Sequence, residues 1–264
     1  MMRSVLAKTL YDRRWFVLGW AIAFAALTAL LVSFFPAMQV SGLDELVRSM
    51  PPAFKGLVGD LSLLSSFDTY MASQLFDIRL PLIGGIMAII LGLGLSSAEE
   101  ETGELRTIAA LPVSRTKIVL HKWLAIVVIT LAMVLAITAA LYAVMPFVDN
   151  ATMPSEGLVP LLAISWLLMV TFGTIPFAVG MAVGKRAAAM AAGVLVVIGS
   201  FILTTFGSAV DWLKDYEKFS LLYYFPAKDV VRDGIHWADV TVLGVITLVL
   251  LIMAVVVFRR RDIG

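Results

Sequence analysis

The sequence predicts an all-α, polytopic membrane protein. Three observations carry that reading: composition, the length of the apolar runs, and the distribution of charge between them. Of 264 residues, 61% are hydrophobic and 15% are charged, against about 45–50% and about 25% in soluble domains. A mean hydropathy of +0.97 excludes an intrinsically disordered chain. The 19 glycines and 10 prolines are spread without period, which excludes a collagen-like one. There is no cysteine, so disulfides, iron–sulfur clusters, thiolate metal sites and cysteine nucleophiles are excluded.

Residues 1–14 carry Val5, Leu6, Thr9 and Leu10 beside Lys8, Arg13 and Arg14, which suits a helix in the headgroup layer, or a topology signal alone. Six apolar runs follow, at 15–35, 80–98, 123–147, 158–183, 187–206 and 240–258, each close to the roughly 20 residues that cross a bilayer. The first is too long for a signal-peptide core and no small-x-small site follows it before Pro36, so it is expected to be a permanent helix. Segment 36–79, with Pro51, Pro52, Gly56 and Gly59, is expected to form short helices at the outer surface rather than a separate domain. In the second run Gly84, Ala88, Gly92 and Ser96 recur every fourth residue, as do Ala21, Ala25 and Ala29 in the first. Such ridges, like Ala188, Ala189, Ala192 and Gly193 in the fifth, predict close helix contacts. Pro160, Gly173 and Pro176 predict a bend in the fourth run near Pro176, its freed carbonyl satisfied by Thr171 or Thr174. Segment 207–239 interleaves Trp212, Tyr216, Phe219, Tyr223, Tyr224 and Phe225 with charges, a composition for the outer interface.

Charge sets the expected topology. The amino-terminal segment, the second and fourth connections and the carboxyl tail hold 13 of the 20 basic residues against 6 acidic ones, a net +7; the remaining connections hold 7 basic and 13 acidic, a net −6. The positive-inside rule then places both ends of the chain in the cytoplasm with six spans, forming one transmembrane domain over 1–264. Connection 149–157 has no Lys or Arg, and is the firmest outside assignment.

The six runs hold no ionisable residue inside; Arg79, Glu99, Lys185 and Arg186 stand at their ends, where they can reach the interface. Gradient-driven transporters usually carry such groups within their helices, so a proton relay is disfavoured. No phosphate-binding loop is present, since Gly180-Met-Ala-Val-Gly184-Lys185-Arg186 has the wrong glycine spacing. Any ATPase must be a separate polypeptide. His121 and His236 are far apart and suggest no metal site. A membrane-embedded lipid-processing enzyme would need clustered His, Asp or Glu; Glu99–Glu104 has no such partner apart from His121.

Connection 99–122 is the most informative stretch. Leu105, Ile108 and Ala109 fall on one helical face with Glu104, Arg106 and Thr107 on others. Pro112 disfavours helical geometry at Leu111 and ends this short helix. Ser114 can cap the next one, and Arg115, Lys117 and Lys122 mark its crossing as cytoplasmic. Glu99–Glu101 taken alone could equally be a solvated helix end.

Acidic residues, then Gly103, then an apolar run with Leu105 and Leu111, then Pro112-Val113-Ser114-Arg115, make the chain similar to the permease subunits of ABC-2 type exporters. The basic amino-terminal helix, the six spans and Ser220-Leu-Leu-Tyr-Tyr-Phe-Pro226 extend the resemblance, although Leu221 stands where relatives commonly have Pro. The resemblance implies that segment 99–117 is a coupling helix seated on a cytoplasmic ABC ATPase. Glu100, Gly103, Glu104, Leu105, Ile108, Leu111, Pro112, Ser114 and Arg115 are then its coupling residues, with Leu105, Ile108 and Leu111 supplying contact area. Lys8, Arg13 and Arg14 belong to an interface helix that touches lipid and can touch the ATPase as well, while Tyr223, Tyr224 and Phe225 belong to an outer gate. Two permeases, paired through helices one and five, join two ATPase copies that hold the ATP and Mg; this chain needs no cofactor or metal and meets no nucleic acid. The implied setting is a prokaryotic plasma membrane, and the implied cargo an unknown lipophilic or amphipathic solute. A gradient-driven transporter is the alternative reading.

Overall fold

The computed structural model describes residues 4–38, 66–110, 112–207 and 210–261, which are helical with no strand among them. Helix α1 (Val5–Asp12) starts at Ser4, whose Oγ accepts from the Ala7 N–H at 3.1 Å. Helix α2 (Arg14–Met38) follows at once. Helix α3 begins at Phe67, well before residue 80, and runs as one column through Phe67–Met71, Ala72–Gly84 and Gly85–Gly94. After a break come two short helices, α4 (Ser97–Glu101) and α5 (Glu104–Ala109). The remaining long helices are α6 (Arg115–Val144), α7 (Ser155–Val183), α8 (Arg186–Gly207) and α11 (Trp237–Arg260). Short α9 (Asp211–Lys214) and α10 (Ala227–Asp233) lie between the last two. Among the described residues six helices are long and apolar enough to cross a membrane, the longest stretch being the 35 residues of Phe67–Glu101.

The earlier start of α3 has a legible cause. Phe67, Tyr70, Met71, Leu75 and Phe76 are buried and continue the apolar face outward. The Tyr70 hydroxyl donates to the Leu31 carbonyl at 3.0 Å, and the Phe35 ring sits edge-on to Phe67 at 5.1 Å, tying α3 to α2. Between Ala72 and Gly84 the helix widens to i→i+5 turns. Pro81 lies in that section; it lacks the N–H that would bond Asp77 four residues back, and a wider turn relieves its ring from that carbonyl. Asp77 and Arg79, expected outside any span, therefore lie within this helical column.

Helix α7 is the central column, packing against α3, α6, α8 and α11, while α2 packs mainly on α6. The ridge of α3 faces α7. An added Cβ at Gly92 would collide with the Gly173 carbonyl and come within 2.9 Å of Pro176; one at Gly84 would meet the Met169 sulfur at 3.1 Å. A Cβ at Gly180 would strike Ser96, and Gly193 of α8 lies against Ile89 and Pro176. These small residues thus serve packing within the chain. Hydroxyls are spent on backbone carbonyls: Thr171 donates to Leu167 at 2.8 Å and Thr174 to Val170 at 2.7 Å. Neither reaches Phe172, whose carbonyl Pro176 frees, so that expectation is corrected. Thr171 instead also meets Thr247 of α11 at 2.8 Å, and Thr174 accepts from the Trp123 indole at 3.0 Å.

Gly92→Val should destabilise the bundle by about 1–3 kcal/mol through overpacking. Gly199→Ala, where a Cβ meets nothing within 4 Å, should not. Thermal unfolding in detergent reads both, and an unchanged midpoint for Gly92→Val would remove the close contact.

Candidate functional site

Most of the residues that the sequence singles out meet at one end of the bundle, its basic end. Helix α3 stops at Gly94, and Ser96 leaves helical geometry with its Oγ turned back to the Gly92 carbonyl at 2.7 Å. The chain then runs through α4, turns at Gly103 and enters α5. Gly103 has φ +78°, a left-handed conformation that a side chain would strain. Ser114 caps α6 by accepting from the Lys117 N–H at 3.3 Å. The stretch expected as one crosswise helix over 99–117 is therefore two short helices, a bend and the first turn of α6.

Burial sorts the side chains. Leu105 and Ile108 are buried, whereas Glu101, Glu104, Arg106 and Thr107 are exposed. The apolar face thus seats the segment on its own bundle, and the outward face is polar. This corrects the expectation that Leu105 and Ile108 offer contact area to a partner. Leu111 lies outside the described residues, and Pro112 is exposed.

Ion pairs bind the segment to its surroundings. Glu99 pairs with Lys122 of α6, and the lysine is fully buried. The sequence placed Glu99 at a span end as an interface group and Lys122 as a mark of the cytoplasmic entry, but each is held inside by the other. In a low-dielectric setting such a pair is costly to break from one side. Glu100 receives both Nη atoms of Arg261, one at 2.9 Å. Arg261 also donates to the Met181 carbonyl at 3.2 Å. Arg115, from the first turn of α6, donates to the carbonyls of Phe258, at 3.4 Å, and Arg261. Glu101 and Arg186 stand 3.9 Å apart and exposed, worth little individually.

The amino-terminal helix joins the same end. Arg13 turns inward and donates to the Gly94 carbonyl, closing the end of α3. Arg14 stays exposed, its guanidinium 3.9 Å from the centre of the Tyr11 ring. Lys8 meets Asp12 at 2.7 Å; that hydrogen bond holds its ammonium above the usual lysine pKa, with desolvation opposing. Ser97 Oγ and His121 Nδ1 are buried without a hydrogen-bond partner among the described residues.

At the opposite end lies a cavity of about 380 Å³, with Ser73 and Asp77 of α3, Thr204 and Thr205 of α8, and Tyr223 and Lys228 among its walls. Asp77 accepts from the Ala227 N–H at 3.2 Å and lies 3.7 Å from Lys228. The Ser220 hydroxyl donates to the Ser200 carbonyl at 2.9 Å and shares a 2.7 Å bond with Thr204, fastening this stretch to α8. Of the three aromatic residues, Phe225 is buried, Tyr224 half-buried and Tyr223 exposed to the cavity side, the tyrosine rings meeting edge-on at 5.3 Å. Trp212 and Phe219 are more than two-thirds exposed, as expected of interfacial rings. Asp77 escaped sequence reading, although Phe67, Tyr70, Met71 and Leu75 follow a helical period that would have carried the helix to it. Among the described residues no group of His, Asp or Glu is placed to hold a metal ion.

Replacing Lys122 by Met, or Glu99 by Gln, should each cost about 3–5 kcal/mol by stranding or disrupting the buried pair. The double substitution should recover much of that loss. Denaturation of the three variants checks this, and additive losses would show the two side chains to be independent.

The described residues thus form six apolar helices, a folded polar segment between the second and third, and a knot of ion pairs at their basic end. No curated protein matches the chain. The family described as ABC-2 family transporter protein matches residues 6–263, so the chain is a multi-pass membrane protein that belongs to the ABC-2 transporter family.

Proposed function

We propose that this permease is the membrane-spanning half of an ATP-driven exporter whose ATPase is a separate subunit. The observation that carries the reading is the polar outer face of α4 and α5. Glu101, Glu104, Arg106 and Thr107 point away from the bundle while Leu105 and Ile108 anchor the segment to it. A seated segment with mixed charge on its free face suits docking in a protein groove, where charge sets register more than affinity. The basic end is then the cytoplasmic end, in accord with the positive-inside rule, and both ends of the chain lie in the cytoplasm of a prokaryotic cell.

Two copies of the chain work with two ATPase subunits, which hold the ATP and Mg. Closure of the ATPase pair displaces α4 and α5 and shifts the helices between inward-open and outward-open arrangements. Gly103, Pro112, Ser114 and Arg115 shape and brace the segment, Glu100 ties it to its neighbours, and Lys8, Arg13 and Arg14 hold α1 against the same end at the lipid surface. At the other end Tyr223, Tyr224 and Phe225 gate release. The cargo is a lipophilic or amphipathic solute, in keeping with walls that mix Phe201, Leu222 and Phe225 with Ser73, Thr204 and Thr205. A gradient-driven mechanism is less well supported, because Asp77, Glu99 and Lys122 within the helical columns are each ion-paired and Arg79 donates to Gln74.

Purification of the tagged chain in mild detergent should yield an ATP-binding subunit in equal proportion and an ATP hydrolysis activity. A clean ATPase-free oligomer across several detergents would overturn the reading. Charge reversal at Glu104 and Arg106 together should lower recovery of that subunit at least roughly tenfold, a loss of about 1.4 kcal/mol, without lowering the thermal stability of the permease.

A further inference from the structure

Three consecutive arginines stand at the end of α11, two in its last turn and one just past it, and only that last one turns back. Arg259 and Arg260 are exposed, whereas Arg261 is four-fifths covered. The helix ends there: Arg261 has extended geometry (φ −81°, ψ 136°) while its N–H still bonds the Val257 carbonyl at 3.0 Å. That change of direction swings the side chain beneath the bundle. The guanidinium then spans two elements, pairing with Glu100 of α4 and donating to Met181 in the last turn of α7. Gly184 closes α7 in the left-handed conformation, with φ +71°. A Cβ at that position would run into the Arg261 guanidinium and lie 2.7 Å from Glu100 Oε1, so the glycine makes room for the pair. Arg115 completes the ring by donating to the Arg261 carbonyl.

We propose that Arg261 is a positioning residue of the transport cycle, the clamp that delivers movement of α4 and α5 directly to α7 and α11. The proposal rests on the coupling reading above and adds to it the route that motion takes. The bidentate pair fixes distance and orientation together, which a single charge contact does not. It joins α4 to α7, the central column, and to α11, which borders both α6 and α7. Without it, α4 remains tied to α6 through Glu99 and Lys122 but has, among the described residues, no side-chain link of this kind to α11. Glu100 accordingly faces inward as part of the clamp, and is not a contact for the ATPase.

The test uses the full permease–ATPase complex in lipid nanodiscs. The chain has no native cysteine, so Ala37→Cys and Ala238→Cys place two spin labels at exposed positions at the ends of α2 and α11 remote from the clamp. ATP with vanadate is the probe, and the inter-label distance is the readout. The parent should shift to a second distance. R261Q and E100Q should each reduce the shifted population at least about fivefold, the low end of coupling between sites. The double variant should fall no further, and R261K, which keeps the charge but not the fork, should fall between. Recovery of the ATPase subunit should be unchanged in R261Q. A full shift in R261Q or R261K, with or without a lowered unfolding temperature, would overturn the proposal, as would independent effects of R261Q and E100Q. If R261Q does not fold, R261K alone decides in the same way. Absence of any shift in the parent, or failure to recover an ATPase, would instead remove the coupling reading beneath it.

Discussion

The approach of α3 to α7 is the contact on which the remaining arrangement depends. Lipid tails give apolar helices no solvent-driven reason to associate, so the gain must come from close van der Waals contact. Gly92 against the Gly173 carbonyl and Pro176, with Gly84 against Met169 and Gly180 against Ser96, allows that contact from Gly84 to Ser96 on one side and from Met169 to Gly180 on the other. With α3 and α7 locked, α6, α8 and α11 complete the shell around α7, and α2 lies outside it on α6. Helix α3 ends at Gly94, and the chain breaks at Ser96, whose side chain lies against Gly180.

That break is what creates the polar segment. From Ser97 onward the chain leaves the apolar column with Glu99, Glu100 and Glu101 in sequence, and the three carboxylates meet different fates. Glu99 is buried on Lys122, Glu100 is clamped by Arg261, and Glu101 faces outward 3.9 Å from Arg186. One short helix thus contacts α6, α11 and the start of α8 through adjacent residues. Rigid attachment of this kind suits a part that receives force, since a loosely held segment would move without moving the helices. The two ends of the molecule differ in this respect. The basic end is held by charge pairs and carbonyl contacts, whereas the opposite stretch is fastened through the hydroxyls of Ser200, Thr204 and Ser220 and through Asp77.

The sequence by itself determined the class, the six apolar helices and the alternation of charge between them, because hydrocarbon thickness and the cost of unpaired backbone groups leave few alternatives for runs of this length. It also showed the cap at Ser114 and the stop at Pro112, both of which are local backbone chemistry, whereas the turn at Gly103 came from the structure. The extended start of α3 was legible in the spacing of Phe67, Tyr70, Met71 and Leu75, but the intervening Asp68, Asp77 and Arg79 hide it from a hydropathy reading. What only the tertiary structure decided is pairing over distance. Glu99 with Lys122 and Glu100 with Arg261 are 23 and 161 residues apart, and no local pattern marks one arginine of three as the partner. The same holds for the face of α5: a stripe of Leu105 and Ile108 reads alike whether it serves a partner or its own bundle. Only the seating of that helix beneath α6 turns those two side chains inward, and the polar face outward.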